Sequence, residues 1–568
     1  MSESISNERL SKRNLWGYSM GGIGRDMAYQ LVNTYLLTFI TFTKGLSNTE
    51  FAMVGVIMVI CRIFDGCNDP FMGSLIEITR TKIGKFKPWI LAGVFTNVAV
   101  IIALFCVPLR GTSYLIFFAF GYLLWGMTYT MNDISYWGMM PSLTSNPGDR
   151  NNLTTLANIG AGVGAGLSVL AIPSLTQGNL AIASNASKSY AIVSIIVCIV
   201  FFVCQIMTVF VVKEKPLPKV RVDDGEKRSL KEMFRVIFKN DQLKPVMAAM
   251  LLYSIGSGIT MALASYWIYY RFAYQGLLVT LFTVISGIST VVIVFFPILC
   301  KKHSRRWISK LSMIMIIVGY LLMFIISLAT GADPKADKVG FNVGEVFIPV
   351  TFIFTGLSGA CAFFGQTLFY QVLTISVANT VEYNEYTTGT RDEGVIFACR
   401  PFTTKLGSAA VVGITTLVVL ALGLNPTNKA ISNADYEAGQ LAIQVEQLVK
   451  DETPNFDSLS KEEQTKLIEA KKKSIETENV AKIEDIIHTN EDTKVAKWQY
   501  QTMFAFMTLL PLLILLGSFA IYFKKYNISE ERYDEICAEI AKRKLAAEGN
   551  AEVVLDGADV NELENDLA

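Results

Sequence analysis

An all-α membrane protein with twelve transmembrane helices in two six-helix halves is the fold class this sequence predicts, and three observations predict it. Of its 568 residues, 52% are hydrophobic and 17% charged, where a soluble chain carries about a quarter charged; the mean hydropathy is +0.40. The apolar residues are clustered, in runs such as ISGISTVVIVFFPIL and MTLLPLLILLGSFAIYF, and about 20 such residues cross a bilayer core of about 30 Å. Basic residues gather in alternate loops: RTKIGKFK, the central stretch from Lys213, and KKHSRR. That asymmetry sets orientation.

Taken in order, the spans fall at about 15–43, 51–79, 87–109, 112–140, 152–178 and 188–213 in the first half. The second half has them at about 243–270, 276–299, 307–330, 346–380, 394–424 and 499–524. Residues 1–213 form the N-terminal half, 214–242 a charged central loop, 243–524 the C-terminal half and 525–568 a tail that ends acidic. The start, MSESISNERLSKRNLWGYS, lacks the short apolar core of a signal peptide, so the first span is read as a retained helix. All basic-rich loops share one side if both termini are cytoplasmic, which places the chain as a multi-pass protein of the cell (plasma or inner) membrane. Between the last two spans, 425–498 is a polar insertion on the opposite face. Its Ser460-x-x-Glu463 capping box and the stripe Leu467, Ile468, Ile475, Ile483, Ile486 and Ile487 predict a helix lying on the outer surface, preferred here to a separate binding module.

Charges inside the spans carry the functional signal, because an Asp at a helix centre costs about 2.5–3.5 kcal/mol and survives beside a partner or a wet cavity. RIFDGCNDPFMG puts Asp65 and Asp69 at i and i+4 on one helix face. Two ionised carboxylates so close repel, so one is protonated or a cation lies between them. With the Asn68 amide they form a set of hard oxygen donors suited to sodium. The plainer alternative pairs either carboxylate with Arg62 or a basic residue of a neighbouring helix.

The first span adds Arg25 and Asp26, and the fourth sets Tyr129, Asp133 and Trp137 at successive i+4 steps. A carboxylate that accepts two adjacent hydroxyls beside an aromatic ring suits a pyranose, although stacked aromatics alone are commonly core packing. The eleventh span carries Arg400, near enough to the interface to snorkel, and Lys405, near the midplane. Acidic residues of the first half thus oppose a lysine of the second, as a carrier working between two halves requires.

Composition also excludes. The two histidines, His303 and His488, lie in polar segments, so no His-based catalytic centre or zinc site is expected within the membrane. With carboxylates spread over three helices and no nucleophile–base pair, the chain is read as no enzyme and as needing no cofactor. A net charge of +1 gives no reason to expect a nucleic-acid partner. Most of the nine cysteines lie in apolar spans, where they read as small buried hydrophobes.

At these residues the chain resembles the glycoside–pentoside–hexuronide:cation symporter family of the major facilitator superfamily. GRDMA, RIFDGCNDPFMG, TRTKIGKFKPWIL, LLWGMTYTMNDISYW, IFKNDQL, VANTVEYNEY and TTKLGSAA carry the resemblance over nearly all twelve helices, outside the insertion and the end of the tail. It implies the major facilitator fold and a monomeric carrier that imports a sugar or glycoside with sodium or a proton by alternating access. The family's cation site matches Asp65, Asn68, Asp69 and Thr130, and its sugar site matches Asp26, Asp133 and Trp137, with Arg25 standing where the family has lysine. Lys405 matches a lysine that links the two sites. Departures fall at Asn158 and Tyr370, where the family's sugar site has arginine and tryptophan, at Asn379, where it has an acid, and at Arg400-Pro401, where it has a Gln-Thr pair. They imply a different sugar, and Arg400 suits a uronate carboxylate. Two other readings remain open: a sodium-coupled carrier of an amphiphile on the same scaffold, and a membrane sugar receptor that does not transport.

Overall fold

The structure, a computed structural model, describes residues 10–144, 146–214, 230–272, 274–330, 339–343, 346–390 and 392–543. Much of the expected central loop, 215–229, and the tail from 544 lie outside them. The first six helices are α1 (Lys12–Thr43), α2 (Asn48–Ile78), α3 (Lys87–Cys106), α4 (Gly111–Leu143), α5 (Pro147–Thr176) and α6 (Ala186–Val211). Their starts follow local chemistry. The Ser11 hydroxyl accepts from Asn14 N ahead of α1, Ser47 and Glu50 close a capping box on α2, and Pro147 opens α5 behind an Asn146 cap.

A short helix α7 (Leu230–Lys239) lies at the end of the central stretch, and α8 (Leu243–Arg271) begins the second set. The span expected at 276–299 is divided: α9 (Gly276–Ile288) and α10 (Val292–Lys302) flank a tighter turn at Ser289–Val291. There the Ser286 and Ser289 hydroxyls donate to carbonyls three residues back, at 2.7 and 2.5 Å, competing locally with the α-helical ladder. α11 (Arg305–Thr330) follows, then a small antiparallel hairpin of β1 (Gly340–Val343) and β2 (Val346–Pro349) that the sequence reading did not anticipate. α12 (Val350–Thr388) starts directly from it and stops at Gly389, whose φ of +75° needs a residue without a side chain. The remaining helices are α13 (Glu393–Ala421), α14 (Asn425–Ile443), α15 (Val445–Glu452), α16 (Lys461–His488) and α17 (Lys497–Lys525); residues 530–543 are helical again.

Among the described residues, nine helices of 20 to 39 residues are long and apolar enough to cross a membrane. The other expected spans correspond to α1 and α2, which are 32 and 31 residues long and carry the charged residues of the site, and to the divided α9–α10.

Close packing orients the site. A Cβ on Gly160 or Gly164 of α5 would lie 2.4 Å from Ser19 O or 2.0 Å from Ile23 O of α1, and one on Gly24 would strike the α6 backbone at Phe201. Small residues at these crossings let three backbones touch, as in other membrane bundles. α1 is thereby wedged so that the Arg25 side chain is 3% exposed, facing α4 rather than lipid.

The two sets of helices meet at one end of the bundle and at its middle. At the end carrying α14–α16, Thr41 and Tyr266 hydroxyls lie 2.9 Å apart, Ser174 and Thr280 hydroxyls 2.8 Å apart, and Gly276 N donates to Gln177 O at 3.3 Å. Toward the other end, a Cβ added to Gly73, one turn beyond Asp69, would meet nothing within 4 Å. α16 has the expected capping box of Ser460 and Glu463. Of its apolar stripe, Ile475, Ile483, Ile486 and Ile487 are buried, Ile468 packs at the edge of a small core around Phe456, and Leu467 is exposed.

Candidate functional site

Helix α2 presents Asp65 and Asp69 to α13. The Lys405 ammonium lies 3.0 Å from Asp65 Oδ2 and 2.7 Å from each oxygen of Asp69. Thr130 of α4 donates its hydroxyl to Asp65 Oδ1 at 2.6 Å. Two carboxylates around one ammonium keep a net negative charge, and Thr130 adds a neutral oxygen. The carboxylate and hydroxyl oxygens are donors of the kind a small hard cation takes, in competition with the ammonium. Asn68 is buried beside them, but among the described residues no hydrogen bond joins it to Asp65, Asp69 or Thr130, and its Nδ2 has no partner.

Of the two partners the plainer alternative offered, the structure has the basic residue of a neighbouring helix, Lys405 of α13, and not Arg62. Arg62 is buried, donates from Nε to Tyr122 OH at 2.8 Å, and lies 5.7 Å from the Trp125 ring. The carboxylates take their cation from across the molecule instead.

A second cluster joins α1 to α4. Arg25 donates from Nη2 and Nε to Asp26 Oδ2 at 2.5 and 3.1 Å, and its Nη1 lies 3.0 Å from Asp133 Oδ1. That last contact is an ion pair without hydrogen-bond alignment. The guanidinium sits over the rings of Tyr136 and Trp137, 4.7 Å from each centroid. Three charges and an indole thus share one place, and Asp133 keeps 36% of its side chain exposed for a further partner. The sequence reading set all four acids against a lysine of the second half. Among the described residues Lys405 pairs with Asp65 and Asp69, while Arg25 pairs with Asp26 and Asp133.

Tyr129 is placed differently from its i+4 neighbours. Its ring packs 5.8 Å from Trp125 and 5.2 Å from Tyr29, within the aromatic column of α4. Tyr370 and Arg400 belong to α12 and α13: Arg400 Nη2 donates to Tyr370 OH at 2.7 Å, and Tyr370 stacks on Tyr253 at 5.5 Å. Among the described residues no hydrogen bond or ion pair joins them to the Arg25 cluster. Asn158 is exposed on α5, and Asn379 lies by Tyr526, away from both clusters.

One contributor escaped the sequence reading. Tyr136 stacks on Tyr18 at 4.4 Å, with each hydroxyl donating to the other residue's carbonyl at 2.8 and 2.7 Å. This reciprocal clamp fixes the ring under Arg25; the available signal was a third aromatic within one turn of Asp133.

The two clusters share helix α4. Thr130 belongs to the first and Asp133 to the second, three residues or about 4.5 Å apart along the axis. The clusters thus occupy adjacent turns of one helix. Among the described residues no group of three or more His, Cys, Asp or Glu side chains is placed to hold a metal.

Comparison with known proteins bears on this geometry. A family model described as MFS/sugar transport protein matches residues 17–443. The raffinose carrier protein of Pediococcus pentosaceus is 26% identical over 437 residues, covering 75% of this chain and 64% of the relative. The lactose permease of Lactobacillus delbrueckii subsp. bulgaricus is 28% identical over 440 residues, covering 75% and 66%. The isoprimeverose transporter of Lactiplantibacillus pentosus is 25% identical over 414 residues, covering 72% and 80%. The chain thus spans just under two thirds of the length of the first two relatives.

Proposed function

Because the chain belongs to the major facilitator family of sugar transport proteins, with the sequence marks of its glycoside–pentoside–hexuronide group, we propose that it is a secondary active symporter that imports a sugar or glycoside. The coupling ion is sodium or a proton, and two six-helix halves, 1–213 and 243–524, alternate access to a site between them. The observation that carries this reading is Lys405 of α13 held between Asp65 and Asp69 of α2, one turn of α4 from the Arg25–Asp26–Asp133–Trp137 cluster.

In this reading Asp65, Asp69 and Thr130 bind the coupling ion, with Asn68 beside them. The ion competes with the Lys405 ammonium for the carboxylates, so its arrival frees a tether between the halves. Asp26 and Asp133 accept sugar hydroxyls, Arg25 holds the two carboxylates in place, and the Trp137 ring covers the apolar face of the pyranose. Tyr370 and Arg400 line the second-half side of the site. A polar, charged cluster beside an indole favours a sugar over an amphiphile, which needs an apolar slot. The named relatives carry raffinose, lactose and isoprimeverose, which supports a saccharide substrate. Contacts between the halves at the α14–α16 end correspond to a conformation closed at that end, the side away from the cytoplasm in the orientation read from the basic loops.

Counterflow in proteoliposomes, against a panel of neutral glycosides, pentosides and uronides, tests this. Accumulation of at least one saccharide is expected, stimulated by sodium or by a proton gradient. Binding without counterflow for every saccharide would make the protein a receptor.

A further inference from the structure

The second set of helices contains a cavity of about 270 Å³, lined by Tyr253 and Ser257 of α8, Ser286 at the end of α9, Ser289 after it, and Gln366 and Thr367 of α12. Its polar protons are largely spent inside the protein. Ser286 and Ser257 hydroxyls donate to Thr283 O and Ser254 O at 2.7 and 3.4 Å, Gln366 Nε2 to Tyr320 OH at 2.8 Å, and Tyr253 OH to Gln366 O at 3.0 Å. Oxygen lone pairs are what these groups still offer, so a good ligand is a donor of several hydrogen bonds and carries no negative charge. The volume falls just short of the roughly 300–1,000 Å³ of sites for drug-sized ligands, room for one ring. Tyr253 of its lining stacks on Tyr370, whose hydroxyl accepts from Arg400.

We propose that this cavity is a subsite for a second, neutral pyranose ring, so that the substrate is a disaccharide or longer with its first ring at Asp133 and Trp137. The proposal rests on the sugar-transport reading. Thr367→Val removes an acceptor at constant shape, and Ser257→Leu fills the cavity; KM is measured for a monosaccharide and for an oligosaccharide containing it. The expected result is a rise of about tenfold or more for the oligosaccharide with the monosaccharide within twofold of wild type. Equal changes for both sugars, no change for either, or a wild-type protein that moves monosaccharides only would overturn the subsite. A wild-type protein that moves no saccharide at all would instead overturn the transport reading beneath it.

An independent set of contacts gives the insertion a role. α14 is joined by its chain to α13, yet it holds the ends of α1, α4 and α6. Asp435 accepts from Ala186 N and Ser187 N at 2.5 and 3.2 Å, while Asn185 donates to Asp435 O at 2.9 Å and caps Lys188 N itself. The first three orphan N–H groups of α6 are thereby satisfied, two of them by a residue from the other half. Arg110, ahead of α4, donates to Ser432 O, Ser432 Oγ and Asn433 Oδ1 at 3.0, 2.8 and 3.0 Å and stacks 4.5 Å from Tyr436; Asn425 Nδ2 donates to Leu46 O at 3.0 Å. On its own side the insertion is anchored by His488 to Tyr270 O at 3.0 Å and by Tyr270 OH to Asn428 at 2.5 Å. Burial pushes the Asp435 carboxyl up to about 6 against the pull of the α6 backbone N–H groups and Arg110.

We infer that α14 is a latch across the two halves that must release Asp435 and Arg110 each time this end of the carrier opens. Met261→Cys, in a background without the nine native cysteines, reports opening through labelling by an impermeant thiol reagent added from the insertion side. Asp435→Ala and Arg110→Gln are each expected to speed labelling about tenfold. Unchanged labelling in both variants overturns the latch, and a lower melting temperature without faster labelling would make Asp435 a structural cap only.

Discussion

Asp69→Asn is expected to abolish cation-driven sugar accumulation while the protein remains in the membrane. In the native cluster two carboxylates surround one ammonium, leaving one negative charge to attract an ion. The substitution makes the cluster neutral and leaves Lys405 paired with Asp65 alone. Losing one unit charge about 4 Å from the ion, at an effective dielectric of about 20, removes about 4 kcal/mol of attraction, a drop of about a thousandfold in ion affinity. The side chain keeps its shape, so the contact between α2 and α13 is not opened sterically. The check compares gradient-driven uptake with counterflow in the same vesicles. Loss of the first with survival of the second is the expected pattern, and undiminished sodium- or proton-driven accumulation would remove Asp69 from the ion site.

Asp133→Asn is expected to weaken the sugar rather than the ion. Asp133 is the cluster's most accessible carboxylate, at 36% exposure against 22% for Asp26, and so the one best placed to accept sugar hydroxyls. A hydrogen bond to a charged group contributes about 1.5–3 kcal/mol, so the dissociation constant is expected to rise about 10- to 150-fold. Arg25 keeps its two bonds to Asp26, which limits damage to the helix packing. Equilibrium sugar binding, by calorimetry or ligand protection, measures this directly. A wild-type sugar affinity in Asp133→Asn would move the sugar site elsewhere in the cavity.

Much of the fold was legible because the bilayer simplifies the problem: an apolar run of the right length becomes a helix whose backbone bonds to itself. Departures came where short-range chemistry acts within such a run. The break at Ser289 depends on serine hydroxyls bonding their own helix, and the hairpin at 340–349 depends on pairing between segments, which helical periodicity does not encode. The cap at Ser460 was readable because its partner Glu463 lies three residues away.

For the site, the sequence by itself determined which residues are chemically out of place. Asp65, Asp69, Asp26, Asp133, Arg25 and Lys405 stand out because charge in a membrane span has to be compensated. It did not determine how they pair. Arg62 is three residues from Asp65 and yet turns to Tyr122, while Lys405, 336 positions from Asp69, supplies the ammonium. Arg25 draws in two carboxylates, one adjacent and one from α4, because α1 is pressed against α5 and α6 at Gly160, Gly164 and Gly24. The anchoring of α14 on α6 and α4 was equally out of reach, since Asp435 and Arg110 look like ordinary polar residues until the bundle brings the helix ends beneath them. Local sequence states that a charge needs a partner; only the packing of distant helices decides which one it gets, because Coulomb energy depends on distance in space and on the burial that sets the local dielectric.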